Sequence, residues 1–309
     1  SLFLSAHGGN VSGFHHHEDV GTFVYLNNGV GWATELRTED YFVNSSVKEP
    51  MFFDRVESHN CMMFNPTIER MLVARGMTNT VKGAGAEVLD YESKERGSYI
   101  VYDLSEVYSS DVKKYHRGIS TADDRRSAVI RDEFTVSNKV DEGWWFMNTT
   151  ADDFEVIDKN TLLMKKDGEQ QIFELYTDLK DYEIQIIEAQ TMWPELNVQD
   201  SDVTDKFERV AIKFKADAGS THYIHVKMYD PLEPGLKEAD KLNRPISEWT
   251  IPDGELPDRL VYGYVSYTMD DGFSSTMNKI TYLKGTKKPK ITSVNVIDSR
   301  TDYEIIDGE

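Results

Sequence analysis

"TFVYLNNGVGWATEL", residues 22–36, decides the fold. Two runs rich in β-branched and aromatic residues flank Asn28-Gly29. A two-residue hairpin turn needs positive φ at both central positions, which Asn and Gly tolerate, so this pattern predicts an antiparallel hairpin. The device recurs at Asp167-Gly168 in "NTLLMKKDGEQQIFELY" (160–176) and at Asp271-Gly272 in "YGYVSYTMDDGFSSTMNKITYL" (262–283). "DYEIQIIEAQ" (181–190), "RVAIKFKA" (209–216) and "HYIHVKMYD" (222–230) alternate apolar and polar residues, as half-buried antiparallel strands do. Only "PTIERMLVA" (66–74) and "PLEPGLKEADKL" (231–242) carry helical periodicity. Many strands joined by short turns predict an all-β chain: a large antiparallel β-sandwich followed by a small C-terminal β domain.

The boundary is expected in "DPLEPGLKEADKLNRPISEWTIPDGELPD" (230–258), where five prolines interrupt the strand rhythm. The sandwich is therefore assigned to residues 1–230, and the linker with the smaller β domain to residues 231–309. "DSRTDYEIIDGE" (298–309) reads as a last strand that frays.

With 309 residues, 39% of them hydrophobic, the chain can bury a sizeable core. A formal charge of −20 argues against non-specific binding to nucleic acid or to an anionic membrane. No apolar run is long enough to span a bilayer. Cys61 stands alone, so no internal disulfide forms. "SLFLSAHGGN" (1–10) lacks an initiator Met and a signal-type apolar region, so a processed protein or part of something larger is expected. Sequons at Asn44 and Asn148 matter only in a host that glycosylates.

Chemistry concentrates near the N-terminus, in "HHHEDVGTF" (15–23), "GWATELRTEDYF" (31–42) and "ESHNCMMFNP" (57–66). If residues 15–26 run as one strand, His15, His17 and Asp19 share a face, while His16 and Glu18 point away. One of His15 or His17, a carboxylate and His59 would make a two-histidine, one-carboxylate metal site, suited to zinc or to non-haem iron.

These stretches resemble a known family. "GFHHHEDVGTF" (13–23) is similar to the His-x-His-x-Asp-x-Gly-Ser-Phe segment of heparinase II/III-like polysaccharide lyases. "WATELRTEDY" (32–41) and "SHNCMMFN" (58–65) resemble the acidic-to-tyrosine and His-Asn segments that follow it there. Beyond residue 66 the resemblance rests on β-rich character and the Arg-containing "DDRRSAVIRDEFTV" (123–136). The resemblance implies an N-terminal α/α toroid, absent from this sequence, followed by the two β units. It implies a catalytic role for His15 at the uronate and for Tyr41, one structural zinc ion on His17, Glu35 and His59 (with calcium or iron as alternatives), and a periplasmic or secreted bacterial setting. Glu35 stands where Asp is usual, which lengthens the ligand arm, and Phe14 takes a place that is often polar.

A straight hairpin does not bring Glu35 to His17. A two-residue loop would pair Glu35 with Thr22, on the opposite face from His17, and a three-residue loop would pair it with Phe23, about 20 Å along the strand. Either the strand bends near Val20 and Gly21, or Asp19 or Glu39 is the ligand.

The implied reaction is β-elimination on an acidic polysaccharide or oligosaccharide. The substrate carboxylate is neutralised, a base removes the C5 proton, and an acid protonates the departing oxygen. His7, Asn10 and Arg126 are candidate substrate contacts. His222 and His225 have opposite strand parity and read as structural. His116 with Arg117, and Arg125 with Arg126, could face a polyanion or solvent. One of Trp144 and Trp145 could stack on sugar rings, and Tyr99, Tyr102, Tyr108 and Tyr115 could do the same. Two other functions are compatible with the pattern. His17, Asp19 and His59 also spell the ligand order of an iron oxygenase on a double-stranded β-helix, and a non-catalytic carbohydrate-binding sandwich would need no chemistry at all.

Overall fold

The turn residues act as the sequence requires. In the computed structural model, residues 2–11, 17–36, 52–71, 80–81, 83–193, 207–232, 242–256, 260–270, 274–283, 290–297 and 300–306 are described. Asn28 and Gly29 have φ of 53° and 83°, and Asp167 and Gly168 have φ of 52° and 84°. Both pairs therefore close tight hairpins of the expected hand. Asp271-Gly272 lies outside the described residues, but the strands on either side of it pair from Asp270 and Ser274.

Strands β1 (Leu2–Ala6), β2 (Phe23–Asn27) and β3 (Val30–Ala33) form a three-stranded sheet. Strand β4 (Met62–Phe64) precedes a long meander of β5 (Glu87–Lys94), β6 (Gly97–Asp103), β7 (Val112–Ala122) and β8 (Ser127–Val136). Then come β9 (Val140–Thr149), β10 (Asp153–Asp158), β11 (Thr161–Lys166), β12 (Glu169–Thr177), β13 (Tyr182–Glu188), β14 (Glu208–Ala216) and β15 (Thr221–Tyr229). An eight-stranded sheet runs β10-β11-β12-β15-β8-β7-β6-β5, and a four-stranded sheet runs β13-β14-β9-β4. Every pairing between named strands in these sheets is antiparallel.

These two sheets make the sandwich. Ile119, Ile130 and Phe134 of the larger sheet share one core with Trp145, Met147, Val210, Ile212 and Phe214 of the smaller, and Phe23 and Tyr25 of β2 close one end. The aromatic rings interlock: Phe134 to Phe214 at 5.6 Å and Phe23 to Trp145 at 5.9 Å between centroids. The chain is all-β apart from short helical turns such as Ile68–Met71. Among the described residues no helix is long and apolar enough to cross a membrane.

The proline-rich segment is not all spacer. Leu242, Ile246, Trp249 and Ile251 pack on the outer face of the large sheet, against Tyr99, Val101, Ala122 and Val129. Gly118 makes room for the indole, since a Cβ there would stand 2.7 Å from Trp249. Strands β16 (Leu260–Asp270), β17 (Ser274–Leu283), β18 (Lys290–Ile297) and β19 (Arg300–Ile306) follow as a second antiparallel meander.

Burial corrects the aromatic-platform expectation. Trp145 faces the main core, as alternation requires of one of the pair, but Trp144 is also buried, packed with Val56, Phe146, Ile68 and Trp193. Tyr99, Tyr102, Tyr108 and Tyr115 are buried too, so none offers a ring face to a sugar. Asn148 is fully buried and hydrogen-bonded, which removes it as a glycan acceptor; Asn44 lies outside the described residues.

Candidate functional site

The site begins just before β2. Gly21 has φ +93°, and the Thr22 N–H donates to Asp19 O at 2.9 Å, so residues 19–22 form a tight turn. A side chain at Gly21 would be strained by that backbone, and its Cβ would lie 2.7 Å from Leu104 Cδ1. The expected strand over residues 15–26 is therefore corrected: β2 starts at Phe23, and His17 and Asp19 lie on the far side of a bend. The chain bends at Val20 and Gly21, as one of the alternatives open in the sequence requires; Glu39 of the other alternative lies outside the described residues.

The bend lays residues 17–19 along the helical turns Phe52–Asp54 and Val56–Ser58. Glu18 is the clamp. Its N–H donates to Asp54 O, and its buried carboxylate accepts from the Val56 N–H and the Thr80 hydroxyl, each at 3.0 Å.

Asn60 and Arg117 hold the other side. The Asn60 amide donates to Phe23 O at 2.7 Å and Thr34 O at 3.1 Å, while its oxygen accepts from the Asn148 N–H at 2.7 Å. Asn148 in turn donates to Ser58 O at 2.6 Å, which secures the segment that presents His59. Arg117 is fully buried, correcting its reading as a solvent- or polyanion-facing charge. It makes a bidentate pair with Asp132 at 2.7 and 2.9 Å and donates to Gly21 O and Asn60 O at 2.8 Å each. Burial works against its charge, yet the charge and hydrogen bonds of Asp132, with Tyr115 and Cys61 beside it, together hold the guanidinium above its ordinary pKa. Strand parity was the available signal for this strut, because Arg117 shares a face with Tyr115 and Ile119, and Asp132 with Ile130 and Phe134.

These supports bring His17, Glu35 and His59 together. The β2–β3 register slips after Leu26↔Gly31, so that Tyr25 faces Ala33. Glu35 then meets both the Thr22 hydroxyl, which donates to Oε1, and His59 Nδ1, which bonds Oε2. The His17 ring lies 5.4 Å from that of His59, and His17 Nε2 is 3.6 Å from Asp54. Burial and the neighbouring His59 lower the His17 pKa. Burial opposes charge on His59 as well, but Glu35, with Asp19 and Glu18 behind it, turns the net direction upward.

Among the described residues no three His, Cys, Asp or Glu side chains stand as a ready-made metal cage. The donor chemistry nevertheless fits one ion, because His59 Nε2 is buried without a hydrogen-bond partner while Glu35 fixes the ring through Nδ1. Metal-binding histidines are commonly oriented in this way. In this arrangement Glu35 orients His59, and ligation by Glu35 itself requires its carboxylate to turn.

The other expected residues scatter. His7 joins the cluster's edge through Asp19, at 2.8 Å. Asn10 bridges to Gly85 and donates to Gly83 O at 2.9 Å. Arg126 sits at the β7–β8 turn and donates to Asp123 O at 2.7 Å. That turn begins six residues past Arg117, about 20 Å along the strand, so Arg126 is not beside His59. Arg125 spends its guanidinium on the carbonyls of Lys94, Glu95 and Gly97. His225 is buried against Tyr176, and His222 bonds Ser220. His15, His16, Glu39 and Tyr41 lie outside the described residues. The sequence did not show the supporting roles of Glu18, Arg117 and Asn148, which depend on partners distant in the chain.

The fold and the cluster together define an all-β sandwich with a carboxylate-oriented histidine pair at one end. No family model and no curated protein matches the sequence. Among solved structures, the chain is similar to a heparinase III with methylated lysines, at 13% identity and a TM-score of 0.51 over 95% of this chain. A crystal structure of heparinase III is 14% identical over 91% of this chain, with a TM-score of 0.49. The chain spans 38% and 36% of those proteins' lengths. At this identity the likeness is one of fold.

Proposed function

We propose that this chain is the β-sandwich portion of a polysaccharide lyase that cleaves uronate-containing chains by β-elimination. The observation that carries the reading is the His59 arrangement: Nδ1 held by Glu35, Nε2 buried and unpartnered, and the His17 ring 5.4 Å away. That it occurs in a sandwich similar to part of heparinase III supports the same reading.

The C5 proton of a uronate is weakly acidic until the adjacent carboxylate is neutralised. His15 serves the substrate as base or as carboxylate partner, and Tyr41, or a tyrosine of a preceding toroid, supplies the proton for the leaving oxygen. His17 and His59, with Glu35, would hold one zinc ion. Bound there, the ion would brace the segments that carry His17 and His59 and add positive charge to the site. The net charge of −20 favours a sparsely sulfated uronate polymer over a dense polyanion such as heparin. Secretion or a periplasmic location follows from the same reading, since such polymers lie outside the cell.

The iron-oxygenase alternative loses its scaffold, because β5 to β8 and β10 to β12 pair as consecutive hairpins rather than as two interleaved Greek keys. Asp19, the carboxylate of its ligand triplet, is engaged by His7 at 2.8 Å. A sugar-binding module without chemistry is disfavoured by the burial of Trp144 and Trp145.

The test is to incubate the full-length protein with sulfated and unsulfated uronate polymers and follow the ultraviolet absorbance of the C4=C5 uronate. The expected result is an absorbance rise with unsulfated polymer that is lost in His17→Ala. Products with saturated ends, or no cleavage of any polymer, would overturn the reading.

A further inference from the structure

His7 carries a second acid–base arrangement at the edge of the cluster. Its main chain is fixed on both sides: the His7 N–H donates to Thr22 O at 2.9 Å, and the Gly21 N–H donates to His7 O at 2.8 Å. Its Nδ1 lies 2.8 Å from Asp19 Oδ2. A carboxylate only accepts, so Nδ1 bears the proton and Nε2 remains as the basic atom. The side chain is 53% exposed, whereas His59 is buried.

Gly9 keeps Nε2 open, and Gly8 seats the main chain. Gly9 has φ +113°, and a Cβ there would stand 3.5 Å from His7 Nε2, so a side chain at position 9 would cover the nitrogen. A Cβ at Gly8 would lie 2.9 Å from Tyr102 Cε1, so glycine lets the main chain rest against β6. The pair joins the cluster through Thr22, whose carbonyl accepts from the His7 N–H and whose hydroxyl donates to Glu35, the partner of His59. An acidic residue that orients a histidine through Nδ1 and leaves Nε2 facing solvent has the geometry of an oriented general base.

We infer that His7, oriented by Asp19, is the base of this site, with Nε2 taking the C5 proton of the uronate. The inference rests on the lyase reading and assigns His15 to the substrate carboxylate. The C5–H bond breaks, its proton passing to His7 Nε2 and its electron pair forming the C4=C5 double bond. The C4–O4 bond breaks, O4 takes the proton of the tyrosine acid already assigned and leaves as a hydroxyl, and the proton held on His7 returns through solvent to the tyrosinate. No oxidant or reductant is involved.

The experiment compares wild type, His7→Ala and His7→Asn in the full-length protein on an unsulfated uronate polymer, with and without added imidazole. Asn keeps a donor toward Asp19 but has no basic nitrogen, so it preserves the local fold if Ala does not. Both variants are expected to lose kcat by about 10²–10⁴, with KM within about threefold of wild type, and imidazole is expected to restore turnover to His7→Ala alone. Variants that keep kcat within threefold, or that lose activity through KM or without imidazole rescue, overturn the role of His7 while the lyase reading stands. A wild type that forms no unsaturated uronate overturns the lyase reading and this inference with it.

Discussion

Arg117→Met removes a guanidinium that is fully buried and joins three separate pieces of the chain. Asp132 would be left buried with only the Trp145 indole as a donor, at 2.8 Å. Breaking one side of such a pair costs about 3–5 kcal/mol. Gly21 O and Asn60 O lose a donor as well, adding about 1 kcal/mol. The expected loss is therefore about 4–6 kcal/mol, and at about 2–4 °C per kcal/mol for a domain of this size the melting temperature should fall by about 8–24 °C. Arg117→Met with Asp132→Leu separates stability from positioning. Replacing both partners by apolar groups should recover most of the melting temperature, yet Gly21 and Asn60 remain untied from the sheet. Zinc affinity, measured by competition with a chromogenic chelator, should stay weak in the double variant. A single variant that melts within 3 °C of wild type would refute the energetic reasoning. A double variant that regains both stability and zinc affinity would refute the idea that Arg117 positions the site.

Three further outcomes follow from the same geometry. Gly21→Ala is expected to cost about 1–3 kcal/mol by thermal unfolding, because of its positive φ and the 2.7 Å approach to Leu104; an unchanged melting temperature would count against that strain. His59→Ala should abolish metal binding, read by elemental mass spectrometry on folded protein, whereas Glu35→Gln should weaken it about 10–100-fold if Glu35 acts by orienting His59; an unchanged affinity in Glu35→Gln would count against that role. Trp249→Ala empties the contact over Gly118 and Tyr99 and should cost about 3–5 kcal/mol with uronate cleavage unaffected, since it packs on the outer face of the large sheet.

The strands and hairpins were legible because their causes are local. Asn28-Gly29 and Asp167-Gly168 carry the φ preferences of their turns wherever they occur, and alternation along residues 209–216 and 222–230 marks one buried face without reference to a partner. The grouping of His17, Glu35 and His59 was legible only as residue types and order. In a straight hairpin they do not meet, and Gly21, which lets the chain fold back, carries no signal of the angle it adopts. Trp144 shows the same limit from the other side, since alternation places it opposite Trp145 but only the Val56 and Trp193 segments decide that it is covered. Arg117 is the strongest case. Its sequence neighbourhood admits a solvated charge, and its burial depends on Asp132, Gly21 and Asn60, separated from it by 15, 96 and 57 residues. Turn preference and strand period act between adjacent residues and can be read from the sequence, whereas burial of a charge and the meeting of ligands depend on long-range closure, which only the packed sheets supply.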